Sequence, residues 1–102
     1  MSARDNELDL ATTLLDRGAR KSVALRNIGV CYQELGVYMY GGEEWRAALV
    51  HLEEALKQAQ AGRKDEAEEQ RCYTELGRFN LRSFEALRER HHLEEAVYYY
   101  QQ

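Results

Sequence analysis

The side chains with chemical potential in this sequence fall into separate sets. His51 with Glu54 and His92 with Glu95 form two H-x-x-E pairs. Helical bundles that hold metals use Glu-x-x-His on facing helices. Here the order is reversed, and charged residues on a solvated helix face account for the pairs better, so no metal and no cofactor is expected. Arg71, Arg78 and Arg82 are 7 and 4 residues apart, which at 100° per residue sets them within about 40° on one helix face. A stripe of guanidinium groups could grip carboxylates. Glu68, Glu75 and Glu85 lie on much the same side, however, and an Arg71–Glu75 pair at i, i+4 would neutralise part of the stripe. The sequence leaves a binding stripe and a solvated face both open. No nucleophile motif, phosphate-cradling glycine loop or acid–base pair is legible, so catalysis is not expected.

Helices must position these groups, because apolar residues recur at helical spacing and not in alternation. Trp45, Ala48, Leu49, Leu52, Ala55, Leu56 and Ala59 form one stripe at i, i+3, i+4, i+7. Gly41-Gly42 breaks the chain before it, Glu43-Glu44 suits a helix N-terminus, and Gly62 is placed to end it. Upstream, a helix from about Arg20 to Tyr40 is expected to turn Val23, Ile28, Cys31, Tyr32, Leu35 and Tyr38 inward. Gly18 is expected to separate it from a leading helix over residues 4–17 with Leu8, Ala11, Leu14 and Leu15. Downstream, Lys64 to Leu87 reads as a long helix with Ala67, Cys72, Tyr73, Leu76, Phe79 and Leu87. A polar break at Arg88–His91 leads to a last helix with Leu93, Ala96, Val97 and Tyr100. The expectation is five helices and no strand.

Composition bounds the function. The 102 residues include no proline and 7 glycines, with 44% hydrophobic and 31% charged residues. That suits one all-α domain and argues against a turn-rich sandwich or a linker. The formal charge is −4, with each of the segments 1–61 and 62–102 contributing −2. Nucleic acids and anionic membranes are therefore disfavoured as partners. The longest apolar runs are too short to span a bilayer. The first residues carry no signal-like apolar stretch, so a cytoplasmic location is expected.

The chain also repeats itself. Cys31-Tyr32-Gln33-Glu34-Leu35-Gly36-Val37-Tyr38 matches Cys72-Tyr73-Thr74-Glu75-Leu76-Gly77-Arg78-Phe79, and His51-Leu52-Glu53-Glu54-Ala55-Leu56 matches His92-Leu93-Glu94-Glu95-Ala96-Val97. Both pairs of blocks share an offset of 41 residues, the mark of a duplicated helical hairpin, here 20–61 and 64–102. Residues 24–38, with Leu25, Ile28-Gly29, Tyr32 and Gly36-Val37-Tyr38, resemble helix A of a tetratricopeptide repeat. Trp45, Ala48, Leu52 and Ala55 resemble its helix B. Either Ile28-Gly29 or Leu35-Gly36 can serve as the family's Leu-Gly pair, and the 41-residue offset supports the second. The second unit departs from the pattern at Asn80 and Glu89, and the period is similar to that of the longer tetratricopeptide variety.

The resemblance implies a superhelix of about two and a half repeats acting as a protein–protein interaction module or adaptor. Its concave face would bind a peptide or helix of a partner carrying acidic groups. The lining residues would be Gln33, Val37 and Tyr40 in the first unit and Arg71, Thr74, Arg78 and Arg82 in the second. A homo-oligomerisation module joined through open repeat ends is the second expectation, and a helical-bundle metal protein or enzyme using the His/Glu pairs the third. Cys31 and Cys72 occupy equivalent positions on successive A helices, about 8–10 Å apart if stacked, too far for an unforced disulfide. Two buried, reduced thiols are expected. Tyr98-Tyr99-Tyr100 points three rings in different directions. With Val97 and Tyr100 extending the inward stripe, Tyr98 or Tyr99 is left exposed, as a frayed tail or as a sticky end against another repeat or subunit.

Overall fold

A computed structural model of the chain describes residues 3–61 and 65–102, with side chains described for residue 17 and from residue 20 onward within those segments. Four helices are present among them: α1 (Ala3–Gly36), α2 (Glu43–Gln60), α3 (Glu66–Leu87) and α4 (Arg90–Tyr100). No strand occurs among the described residues. The expected five helices become four because Gly18 does not interrupt the chain, and α1 runs through it as one helix of 34 residues. A glycine inside a helix costs only about 1 kcal/mol relative to alanine, too little to break a helix by itself. The stripe Leu8, Ala11, Leu14 and Leu15 lies outside the described side chains, and Gly62 and Lys64 lie outside the described residues.

α1 and α2 form an antiparallel hairpin, α3 packs back along α2, and α4 folds against α3. The two hairpins turn differently. The first uses residues 37–42, where Gly41 takes φ 81°, a conformation glycine reaches without steric cost. This turn replaces the expected last helical turn to Tyr40. Gly42 caps α2, and Glu43 and Glu44 lie in its first turn, facing the positive end of the helix dipole. The second hairpin turns within Arg88-Glu89, shorter than the break expected through His91. Arg88 takes the left-handed φ of 59°, a cap usually given to glycine, with its guanidinium 5.6 Å from the Phe84 ring centre. At the start of α3, the Asp65 carboxylate accepts a hydrogen bond from the Glu68 backbone N–H, the usual N-cap bond.

The core lies in the seam between α2, α1 and α3. Trp45, Ala48, Leu52, Leu76 and Phe79 are buried there, with Tyr32, Val37, Tyr40, Leu49, Leu56 and Tyr99 packed around them. Trp45 stacks on Phe79 with ring centres 4.5 Å apart, and its indole N–H donates to the Ser83 hydroxyl at 2.8 Å. Each fully buried leucine contributes on the order of 2 kcal/mol. Gly29 permits the close approach of α1 to α2: a Cβ there would lie 2.8 Å from Leu52 Cγ and 3.3 Å from the Ala48 carbonyl oxygen. Gly36 lies equally close to the Trp45 backbone.

The inward face of α1 is not the one its apolar residues predict. Val23, Ile28, Leu35 and Tyr38 are exposed, Tyr38 at 90%, and Cys31 is exposed as well. Ser22, Gly29, Gln33 and Gly36 are buried instead. Small and polar residues win this position because α2 approaches closely and because Ser22 can donate to the Ala55 carbonyl at 2.8 Å. Only Tyr32 of the expected set is half covered, its ring 5.2 Å from that of His51. In α3 Cys72, Leu76 and Phe79 are buried as expected, whereas Ala67 and Leu87 are exposed. In α4 only Ala96 is buried, and Leu93, Val97 and Tyr100 remain exposed.

Candidate functional site

α3 carries the basic stripe. Arg71, Thr74 and Arg78 are exposed on successive turns, and Arg82 is half exposed. Each guanidinium already has a carboxylate. Arg71 pairs with Glu68 at 3.2 Å, Arg78 with Glu75 at 2.9 Å, and Arg82 reaches across to Glu34 of α1 at 3.0 Å. The first two pairs are at i, i+3; the Arg71–Glu75 pair expected from spacing gives way to them. Glu68, expected on the solvated side, is buried at 1% exposure and also binds Arg26 of α1. Two cations around one buried carboxylate offset its desolvation and tie α1 to α3. Thr74 turns its hydroxyl to the Gln70 carbonyl at 3.0 Å.

The first-unit residues are placed differently. Gln33 is enclosed at 1% exposure, and its amide nitrogen has no hydrogen-bond partner among the described residues. Val37 and Tyr40 lie half buried in the turn after α1, Tyr40 edge-on to Trp45 with ring centres 4.6 Å apart. The structure therefore brings Arg71, Thr74, Arg78 and Arg82 onto one face and draws Gln33, Val37 and Tyr40 toward the core.

The H-x-x-E pairs do not form a joint site. His51 Nδ1 lies 2.7 Å from the Ala47 carbonyl, and Glu54 accepts from Gln58 at 3.1 Å. His92 instead meets a group the spacing does not reveal. Glu89 Oε2 is 3.5 Å from His91 Nδ1 and 3.7 Å from His92 Nε2 at the α3–α4 turn. Burial, and then the neighbouring His91, lower the His92 pKa. The cluster sits at the first turn of α4, where the helix dipole works against a cation.

Cys72 is buried and its thiol is pushed up to about 11, first by burial and then by Glu68. Cys31 corrects the expectation of two buried thiols, since it is exposed. At the C-terminus Tyr99, not Tyr100, turns inward: its ring centre lies 6.3 Å from that of Tyr73, and burial followed by Glu53 raises its phenol pKa. Tyr98 and Tyr100 are 55% and 52% exposed. Tyr100 nonetheless lies over Gly77, where a Cβ would come within 2.7 Å of its ring.

Two apolar surfaces were not legible in the sequence. One is a groove of about 590 Å³ lined by Phe84, Arg90, Leu93, Glu94 and Val97. The other, of about 380 Å³, is lined by Asn27, Ile28, Cys31, Tyr32 and Leu35. The second could have been found by asking which apolar stripe of α1 lies opposite its glycines.

Comparison of the chain with family models, curated proteins and solved structures finds no match. Among the described residues no helix is long and apolar enough to cross a membrane.

Proposed function

We propose that the chain is a tetratricopeptide-like protein–protein interaction module that captures an acidic peptide or helix of a partner on the exposed face of α3, beside α1. The observation that supports this reading is the alignment of Arg71, Thr74, Arg78 and Arg82 on that face, with the Arg71 and Arg78 side chains 60% and 50% exposed. The Arg78–Glu75 and Arg82–Glu34 pairs do not prevent capture, because such pairs near the surface are worth about 0–1 kcal/mol and exchange readily, and Glu68 keeps Arg26 when Arg71 turns to a partner. A partner carboxylate that binds a guanidinium through two parallel hydrogen bonds gains more than a single-contact pair. Arg26–Glu68 and Arg82–Glu34 join the two hairpins and keep this face in one piece. The reading is of an adaptor in a superhelical array, with no catalytic step, working in the cytoplasm with both thiols reduced.

Fluorescence anisotropy against a panel of labelled acidic, neutral and basic helical peptides tests it. Acidic peptides should bind, with affinity falling as salt rises, and the Arg78→Glu variant, which leaves the inter-helix Arg82–Glu34 pair in place, should lose them while keeping its circular dichroism. Equal binding of neutral peptides, or unchanged binding by the variant, would overturn the reading.

A further inference from the structure

We propose that Glu89, His91 and His92 at the α3–α4 turn bind one divalent transition-metal ion of the zinc class, which fastens the start of α4. This ligand set is not the H-x-x-E spacing. His51 and Glu54 bond within α2, and His92 meets Glu89 from the turn before it. The site is independent of the acidic-peptide face, which lies on other residues of α3.

Glu89 holds the N-cap position of α4, yet its carboxylate makes no cap bond to that helix. It turns to the two imidazoles instead, with Oε2 3.5 Å from His91 Nδ1 and 3.7 Å from His92 Nε2. Among the described residues no lysine or arginine pairs with Glu89, and the adjacent Arg90 goes to Glu94 at 2.9 Å. The three donor atoms all lie within 4.8 Å of one another. A tetrahedral ion with bonds of about 2.0–2.1 Å sets its donors about 3.3–3.4 Å apart. Two of the three separations are therefore already near the required value. The third closes by rotation of His91, whose side chain is 62% exposed, while His92 is held half-buried against the turn.

The donor types choose the metal. Imidazole nitrogen suits zinc, nickel and copper, whereas calcium and magnesium take oxygen. Two histidines and one carboxylate leave a fourth tetrahedral position for water or another carboxylate. Glu95 is placed for it, four residues after His91 and three after His92 on one helix face. With both histidines and with Glu53 of α2 it lines a cavity of about 220 Å³. The positive end of the α4 dipole amounts to about half a charge. Glu53, Glu89 and Glu95 outweigh it, and among the described residues no lysine or arginine lines the cavity.

The first turn of α4 is also where a fastening is missing. The helix has 11 residues, buries only Ala96 and has no side-chain cap bond. A helix of that length is marginal without packing, and an ion joining its N-cap to its first turn supplies the constraint.

Equilibrium dialysis of the full chain against zinc chloride at about pH 7.5, after stripping with chelator and with thiols reduced, provides the test. Imidazoles are neutral there and free to ligate. The parent should take up one zinc per chain, with no competition from magnesium. Glu89→Gln and His91→Gln change exposed side chains and should keep the parent's helicity. Each should weaken binding by at least about tenfold, the loss that even an outer-sphere partner causes. Cys31→Ser should bind as the parent does. Zinc should raise the melting temperature of the parent and leave that of Glu89→Gln unmoved. No uptake by the parent, unchanged binding in either cluster variant, loss of binding in Cys31→Ser, or an equal rise in both melting temperatures overturns the proposal.

Discussion

Cys31 and Leu35 on α1 and Cys72 and Leu76 on α3 stand in matching sequence blocks, yet the first two are exposed and the second two are buried. Identical residue types in matching local sequence thus meet opposite environments. The difference is the hairpin that lies over α3. It teaches that a helix face acquires its role from its neighbour, and that the same stripe serves as core in one unit and as open surface in the other.

The thiols should show the contrast most sharply. Cys31 should alkylate in the native protein, whereas Cys72 should wait for unfolding and react at least about a thousandfold more slowly, since unfolding a domain costs about 5 kcal/mol or more. Mass spectrometry of time-quenched samples measures both rates, and equal rates would break the comparison. The leucines come next. Leu76→Ala should cost about 2–5 kcal/mol in urea unfolding, against a change within about 0.5 kcal/mol for Leu35→Ala at concentrations where the chain is monomeric.

The seam offers finer cuts. Ser83→Ala removes the acceptor of the buried Trp45 indole N–H and should cost about 1–3 kcal/mol in the same measurement. Gln33→Met should raise stability by about 1 kcal/mol, because it removes a buried amide nitrogen with no partner among the described residues. The smallest effect concerns the α3–α4 turn. The His92 pKa lies below its ordinary 6.5 in the folded chain, so the unfolded chain binds the extra proton first as pH falls. Stability should therefore decline as pH drops below about 6.5 and level off beneath the folded pKa. His92→Gln should flatten that part of the profile in thermal melts.

Much of the local structure was legible. The α2 stripe from Trp45 to Ala59, the Gly41-Gly42 break and the placement of Glu43 and Glu44 follow from spacing and from glycine's freedom at positive φ, and all are present. The basic stripe on α3 was also legible as one face. Arg71 and Arg78 find carboxylates three residues back on the same helix, where spacing had pointed to Glu75 for Arg71; the Arg82–Glu34 and Arg26–Glu68 pairs were not legible, because they form only across two helices brought together by packing. The same holds for Gln33, whose polarity argues for the surface while its place between glycines on α1 puts it inside.

Sequence alone determined that the chain is helical and where most helices begin and end, since these depend on period, caps and local steric freedom. Tertiary structure alone decided which stripe of α1 is covered. Helical period groups residues onto faces but holds no information about what lies against a face, and close approach at Gly29 favoured the small residues over the apolar ones. It likewise decided that Gly18 lies within a continuous helix, a matter of about 1 kcal/mol that the rest of a long helix can carry.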